Sequence, residues 1–318
     1  MRICVDLGGT KIEAIALGKN GKELVRHRIE SPREDYVATL SSIRYLVDIV
    51  EKRAMEIEMP KIRATIGVGI PGTISPASGF VKNSNSTWLI GQQFDKDITD
   101  TLERPVKVAN DANCFVNSEA TDGAAMGSNI VFGAILGTGV GGGLFVDGKV
   151  RTGLNSITGE WGHNQLPWPS ETDDGQELHG AICYCGQRAC IETFLSGDGL
   201  RRSHATLSGN SIGEPQSTLE IVKLSNNGKS SAKRALEIYA TRLAKSLAQI
   251  INILDPDVIV LGGGLSNIEF LYERVPNLWL NWIFSDETET RLVKNMHGSS
   301  SGVRGAAWLW SDEDAEVI

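Results

Sequence analysis

Only five of the 318 residues are cysteine, and the chain has neither a basic block nor an apolar run long enough to cross a bilayer. Each shortage excludes something. Thirty-one Lys and Arg stand against 39 Asp and Glu, a net charge of -8 with the two signs interspersed, which argues against nucleic acid or an anionic membrane as the main partner. The longest apolar stretch, "INILDPDVIVLGGG", is broken by Asp, Pro and Gly well before spanning length. Met1-Arg2 leads straight into "ICVDLGGT", with no charged region, apolar region and cleavage site of a signal peptide, so a cytoplasmic location is expected. In a reducing compartment five cysteines do not make a disulfide framework, and clustered ones are better read as metal ligands or reactive thiols. No G-x-x-x-x-G-K-[ST] occurs, which excludes the common P-loop.

What is present is glycine in particular places. "DLGGT", "GVGIPGT", "LGTGVGGG" and "LGGGLS" each follow a short β-branched or apolar run, where a backbone without Cβ can approach a ligand closely. Arg2–Asp6, Lys11–Leu17 and Leu24–Ile29 predict three strands joined by turns, the second turn being "KNGK". Tyr36–Ala54 has helical spacing, Ala64–Ile70 is a nearly continuous apolar strand, and Val106–Ala109 precedes a helix capped by Asn110 or Asp111. Val131–Leu136, Gly142–Val146 and Lys149–Thr152 repeat the opening layout; a long helix over Ser231–Leu254, a strand over Val258–Leu261 and a terminal helix over Gly302–Trp310 follow. The pattern predicts two mixed α/β lobes facing a cleft: residues 1–117 with the C-terminal helix 302–318 as the smaller, and 118–301 as the larger.

Gly137–Gly142 matches G-x-G-x-x-G, but the strand-like "GLFVDGKV" follows it where a dinucleotide fold needs a helix. A different geometry fits: the tips Asp6–Lys11 (Gly8, Gly9, Thr10, Lys11) and Gly137–Gly139 offer backbone N–H groups and the hydroxyls of Thr10 and Thr138 to phosphate oxygens. Either tip alone reads as a tight turn; the pair, with Gly262, Gly263 and Gly264 as a third glycine turn, points to a nucleotide clamped from both sides. Asp6 ends an apolar strand, either capping a turn or standing near the Mg²⁺ of a nucleotide.

In this order and spacing, "DLGGTK", "GVGIPG", "NDANC", "LGTGVGGG", "GEWGH", "CYCGQRACIE" and "DPDVIVLGGG" resemble the ROK family of sugar kinases, over Arg2 to about Trp310. The resemblance implies an actin-like and hexokinase-like ATPase fold of two ribonuclease H-like domains with an inter-lobe cleft, and an enzyme moving the γ-phosphoryl group of ATP to a hexose 6-hydroxyl. It implies Asp111 as catalytic base, where the bare residues read equally as a helix N-cap pair. Asn85, Asn110, Glu160, His163 and Glu192 are implied as sugar ligands, carboxylates being suited to neighbouring hydroxyls. Cys183, Cys185 and Cys190, with His163 supplied by the family's GExGH motif, form a Cys₃His set with the composition of a closed structural Zn²⁺ site; a redox-active thiol cluster is the alternative for C-x-C-x₄-C alone. Ala189 stands where the family often has Gly. Cys4 and Cys114 lie outside this set and are read as packing residues.

"NSTWL", "NDANC", "GEWGHN" and "LPW" resemble bacterial ROK fructokinases, so fructose, with mannose beside it, is the expected substrate; N-acetylglucosamine kinase and glucokinase are the alternatives. A sugar-responsive ROK repressor is disfavoured because no helix-turn-helix precedes the first strand, and a zinc hydrolase because four protein ligands leave no open metal position. The partners expected are hexose and ATP, with a homodimer as the assembly. The polar segment 164–182 reads as a loop.

Overall fold

The computed structural model describes residues 1–18, 21–58, 63–171, 176–209 and 217–311. Parts of the "KNGK" turn, of the 164–182 segment and of the expected helix 302–318 lie outside them. The chain divides into two compact units: residues 1–127, 143–158 and 296–318 form the first, and 128–142 with 159–295 the second.

The first unit opens with β1 (Arg2–Leu7), β2 (Lys11–Leu17) and β3 (Glu23–Glu30), followed by α1 (Tyr36–Ile57) and β4 (Thr65–Ile70). A short ladder of β5 (Thr73–Ile74) and β6 (Val81–Lys82), then α2 (Phe94–Leu102), lead to β7 (Val106–Asn110) and α3 (Asp111–Thr121). The sheet order is β3-β2-β1-β4-β7, antiparallel over its first three strands and parallel from β1 to β7. The apolar run of β4 is buried at every residue, as expected of a central parallel strand covered on both faces. Asp35 caps α1 by accepting from Ala38 N at 2.9 Å. Ile43, Leu46, Val47 and Val50 then form its buried stripe, each stabilising the fold by about 1.5–3 kcal/mol.

The second unit takes β8 (Ile130–Leu136), and the chain crosses back to the first within β9 (Val140–Val146), which is followed by β10 (Lys149–Val150). Then come α4 (Ile191–Leu195), α5 (Gly197–Ser208), α6 (Thr218–Asn226), α7 (Ser230–Leu254), β11 (Val258–Gly262), α8 (Phe270–Trp279) and β12 (Arg291–Lys294). The sheet order is β10-β9-β8-β11-β12, with β8, β11 and β12 parallel. The buried length of α7 packs against α5, α6 and α8.

The last helix, α9 (Ser301–Ala307), returns to the first unit. Glycines set how closely it lies: a Cβ on Gly67 would sit 1.8 Å from Ala306 O, and one on Gly305 1.6 Å from Cys114 O. This contact explains why the unit boundaries differ from those expected at 117/118 and 301/302. Helix α3 continues without a break to Thr121 and packs along α9, so residues 118–127 and 296–301 stay with the first unit. Residues 143–158 join it too: a Cβ on Gly143 would lie 2.6 Å from Ala112 O, so the glycine lets β9 pack closely on α3. Among the described residues no helix is long and apolar enough to cross a membrane.

Candidate functional site

In the first unit the β1–β2 tip is closed by Gly8 N donating to Lys11 O at 3.0 Å, leaving Thr10 and Lys11 exposed. Arg33 Nε donates to Gly9 O at 3.1 Å, and Ser31 N to Thr10 O at 3.0 Å. Asp6 precedes this tip on β1. Burial, then the negative charge of Asp111, pushes its carboxyl up to about 7, with Glu13 adding and Arg28 opposing. Asp6 and Asp111 therefore act on one another inside one unit.

The strand-to-helix junction β7–α3 positions Asp111. Asn110 Oδ1 accepts from Ala112 N at 2.9 Å and Asn113 N at 3.3 Å, and its Nδ2 donates to Gly72 O at 2.9 Å. The amide thus caps α3 and ties it to the "IPG" turn, where Gly72 at φ +81° lies too close to Lys82 O, 2.5 Å from a Cβ, to carry a side chain. Asp111 follows exposed as the first helical residue, its Oδ1 accepting from Ala112 N at 2.8 Å, where the helix dipole favours a negative charge. Asn85 is also exposed. Its turn is fixed beneath it by buried Ser84, whose Oγ accepts from Ser86 N at 3.1 Å and donates to Ser86 O at 3.2 Å.

In the second unit the Gly137–Gly139 tip is braced from beneath. Gly137 N donates to Gly139 O at 3.0 Å, Gly197 N to Gly137 O at 2.8 Å, and Val140 N to Glu192 Oε2 at 2.9 Å. A Cβ on Gly139 would lie 2.6 Å from the same Glu192 oxygen, so the glycine makes room for that carboxylate. The other oxygen, Oε1, is 3.9 Å from Cys183 Sγ. Glu192 therefore joins the glycine turn to the cysteine cluster.

Glu160 is exposed ahead of a single 3₁₀ turn, Trp161–His163. Trp161 anchors that turn: it is buried, donates from Nε1 to Gly141 O at 2.8 Å and meets Phe132 edge to face at 5.7 Å. His163 Nδ1 lies 3.6 Å from Cys183 Sγ, and Cys185 Sγ 3.7 Å from Cys190 Sγ. All four donor atoms lie within 4.8 Å of one another. Tetrahedral zinc, with Zn–N of about 2.0 Å and Zn–S of about 2.3 Å, sets ligand–ligand edges of about 3.5–3.8 Å, so the residues fit such an ion. Hydrogen bonding from the Gln187 backbone N–H is the first cause that draws the Cys185 thiol down to about 7, whereas burial pushes Cys190 up to about 12.

The cysteine turn depends on backbone angles that few side chains accept. Cys183 N donates to Gln187 O at 2.8 Å and Gly186 N to Cys183 O at 2.9 Å, with Gly186 at φ +89°. Ala189 holds φ +56°, a left-handed conformation that a glycine adopts without strain and an L-residue at a cost of about 1–2 kcal/mol. The preference for glycine at this place thus has a conformational reason. Ala189 Cβ also fills the space beside Gly180, 2.4 Å from where a Cβ there would stand.

A cavity of about 490 Å³ opens in the second unit beside the glycine tip, lined by Gly137, Thr138, Asp198, Arg201, Thr218 and Gly264 among others. Of the triple glycine only Gly264 lines it. Gly263, at φ +78° with its Cβ position 2.3 Å from Leu136 O, packs against β8, and Gly262 ends buried β11. Asp198, Arg201, Ser217 and Thr218 carry no sequence signature that reveals them. The available signal was the helix-starting serines: Ser196 caps α5, and Ser217 forms a capping box with Glu220 on α6.

The family comparisons agree with this architecture. The model of the ROK family matches residues 2–313. An N-acetyl-D-glucosamine kinase of Photobacterium profundum is 38% identical over 304 residues, 96% of this chain and 97% of that protein. One of Pasteurella multocida is 37% identical over 311 residues, 98% of this chain and 99% of that one. Among solved structures, a ROK hexokinase from Thermus thermophilus superposes with a TM-score of 0.81 at 27% identity, covering 96% of each chain. The chain belongs to the ROK family, and its fold is that of the family's sugar kinases.

Proposed function

We propose that this protein is an ATP-dependent hexose kinase that phosphorylates the 6-hydroxyl of N-acetyl-D-glucosamine. The observation that carries the phosphotransferase reading is the Asp111 carboxylate, exposed at the first position of α3 and oriented by the Asn110 cap. Phosphoryl transfer needs little covalent help from a protein. It needs a hydroxyl aimed in line at phosphorus and a group to receive its proton. Asp111 takes that proton. Asp6, partly buried and drawn toward its protonated form by that burial and then by the charge of Asp111, is the less exposed partner of the pair.

Asn85, Glu160, His163 and Glu192 are the sugar ligands in this reading. Asn110 joins them: its cap positions Asp111, and its amide nitrogen, with two N–H groups, donates one to Gly72 O and offers the other to the sugar. The N–H groups at Gly8–Lys11 and Gly137–Gly139, other than those of Gly8 and Gly137, which close the turns, hold phosphate oxygens together with the hydroxyls of Thr10 and Thr138. The cavity lined by Arg201, Thr218 and Gly264 takes the nucleoside. Asp6 would help hold Mg²⁺, an ion that would neutralise charge on the phosphates. Cys183, Cys185, Cys190 and His163 hold a structural Zn²⁺.

The substrate rests on the relatives. The proteins at 37–38% identity carry the name N-acetyl-D-glucosamine kinase, which favours the amino sugar over the fructose and mannose that the short motifs suggested. A coupled assay of ADP release over N-acetylglucosamine, glucose, mannose and fructose tests it. The expected result is a kcat/KM for N-acetylglucosamine at least about tenfold above the others, the scale of one pocket contact. Fructose in first place overturns the substrate, and ADP release that no sugar stimulates overturns the kinase.

A further inference from the structure

We propose that Arg33 is a further catalytic residue: anchored on the β1–β2 tip, its guanidinium binds the phosphoryl group as it passes from ATP to the sugar. The inference rests on the kinase reading above. Two observations in the first unit carry it. Arg33 Nε donates to Gly9 O at 3.1 Å, whereas its two terminal nitrogens make no hydrogen bond or ion pair among the described residues. At the same glycine stands Ser86, only 1% exposed, whose Oγ lies 3.5 Å from the Cβ position of Gly9 and has no hydrogen-bond partner among the described residues.

A guanidinium is planar, so the bond from Nε fixes the plane of both terminal nitrogens and keeps them beside the tip. The fork is preorganised. Its backbone is held as well: Ser31 N donates to Thr10 O at 3.0 Å, Thr39 Oγ1 to Pro32 O at 3.4 Å, and Ala38 N to the capping Asp35 Oδ1 at 2.9 Å. These bonds pin the chain before and after Arg33. Directly after it Glu34 holds a left-handed φ of +63°, which an L-residue keeps only where its surroundings fix it. A buried hydroxyl is costly to leave unpaired, so Ser86 marks the same glycine as a place where a ligand oxygen is received. The chemistry there suits a forked cation. As the bond from the γ-phosphorus to its bridging oxygen breaks and the bond to the sugar oxygen forms, ADP leaves with the bridging oxygen and the hydroxyl proton passes to Asp111. The phosphoryl group in transit spreads its charge over three equatorial oxygens, which Arg33 binds through two N–H groups without exchanging a proton.

The test is Arg33→Ala in the full-length protein, assayed for ADP release at saturating hexose and ATP. The expected result is a kcat lowered about 10³-fold, the lower end for an arginine at a transferring phosphoryl group, with hexose KM and unfolding temperature unchanged. Added guanidinium ion is expected to restore activity to this variant, and sodium at equal ionic strength to restore none. Arg33→Lys keeps the charge without the fork or the Nε tether, and is expected to recover no more than about a tenth of the wild-type rate. A kcat left near the wild-type value in Arg33→Ala overturns the proposal and leaves the kinase reading standing. A loss that guanidinium does not restore, with a lowered unfolding temperature, assigns Arg33 to holding the tip and overturns it too. If wild type phosphorylates no hexose, the kinase reading and the role of Arg33 fall together.

Discussion

The two sheets are built to one plan and equipped differently. Each has a hairpin-first order, β3-β2-β1-β4-β7 in one sheet and β10-β9-β8-β11-β12 in the other, and each has a glycine tip after its first strand. In the first tip the close approach is to backbone, a Cβ on Gly8 lying 2.9 Å from Lys11 O while one on Gly9 would meet Ser86 Oγ at an ordinary 3.5 Å. In the second it is to a charged side chain, a Cβ on Gly139 lying 2.6 Å from Glu192 Oε2 while one on Gly137 would meet nothing within 4 Å. The first unit carries an interacting acid pair, Asp6 and Asp111, and the second a cluster of thiols and an imidazole. A shared skeleton therefore fixes where loops emerge, while side chains fix which chemistry each loop performs.

The sharpest way to break the comparison is to disable one unit's chemistry and leave the other intact. Asp111→Asn keeps the helix start, because Asn110 supplies the cap, and is expected to lower kcat about 10²–10⁴-fold in the coupled assay with zinc content unchanged. The complementary variant, Cys190→Ser, removes a fully buried donor. It is expected to reduce zinc affinity by at least about 100-fold, beyond the scale of an outer-shell loss, and to raise the hexose KM through the His163 and Glu192 segments. Zinc retained at one equivalent after dialysis would show that the cluster is not a metal site.

Asp6 gives a pH signature belonging to the first unit alone. Its folded carboxyl is raised to about 7, above the ordinary value near 4, so the folded protein holds this proton more tightly than the unfolded chain. Its contribution is most favourable below about pH 4 and is lost as pH rises toward 7. Urea unfolding of Asp6→Asn between pH 4 and 8 should show that falling component removed. Asp111→Asn should move its upper limit to lower pH, since the Asp111 charge is the second cause of the shift. The smallest effect expected is a gain of about 0.5–1 kcal/mol for Ala189→Gly, read by thermal unfolding: relief at φ +56° exceeds the added freedom of the unfolded chain.

Much of the fold was legible because its periodic elements are long and its glycines sit at strand ends. The helix expected over Tyr36–Ala54 runs Tyr36–Ile57, and that over Ser231–Leu254 runs Ser230–Leu254. The elements that the sequence analysis left unassigned are short or mixed in pattern: α2, α5, α6, α8 and β12 lack a long apolar stripe. For the same reason the cavity walls at Asp198, Arg201 and Thr218 were not anticipated.

Composition and local pattern were sufficient to determine the glycine tips, the cap at Asn110 and Asp111 and the cluster of three cysteines, because each depends on residue type at fixed short spacing; His163 joined the cluster only through the family resemblance. Tertiary structure alone decided that Glu192 braces the Gly137–Gly139 turn, that Tyr184 meets His163 and that residues 143–158 return to the first unit. Those contacts join positions distant along the chain, and their distances are set by how closely glycine-bearing backbones can pack.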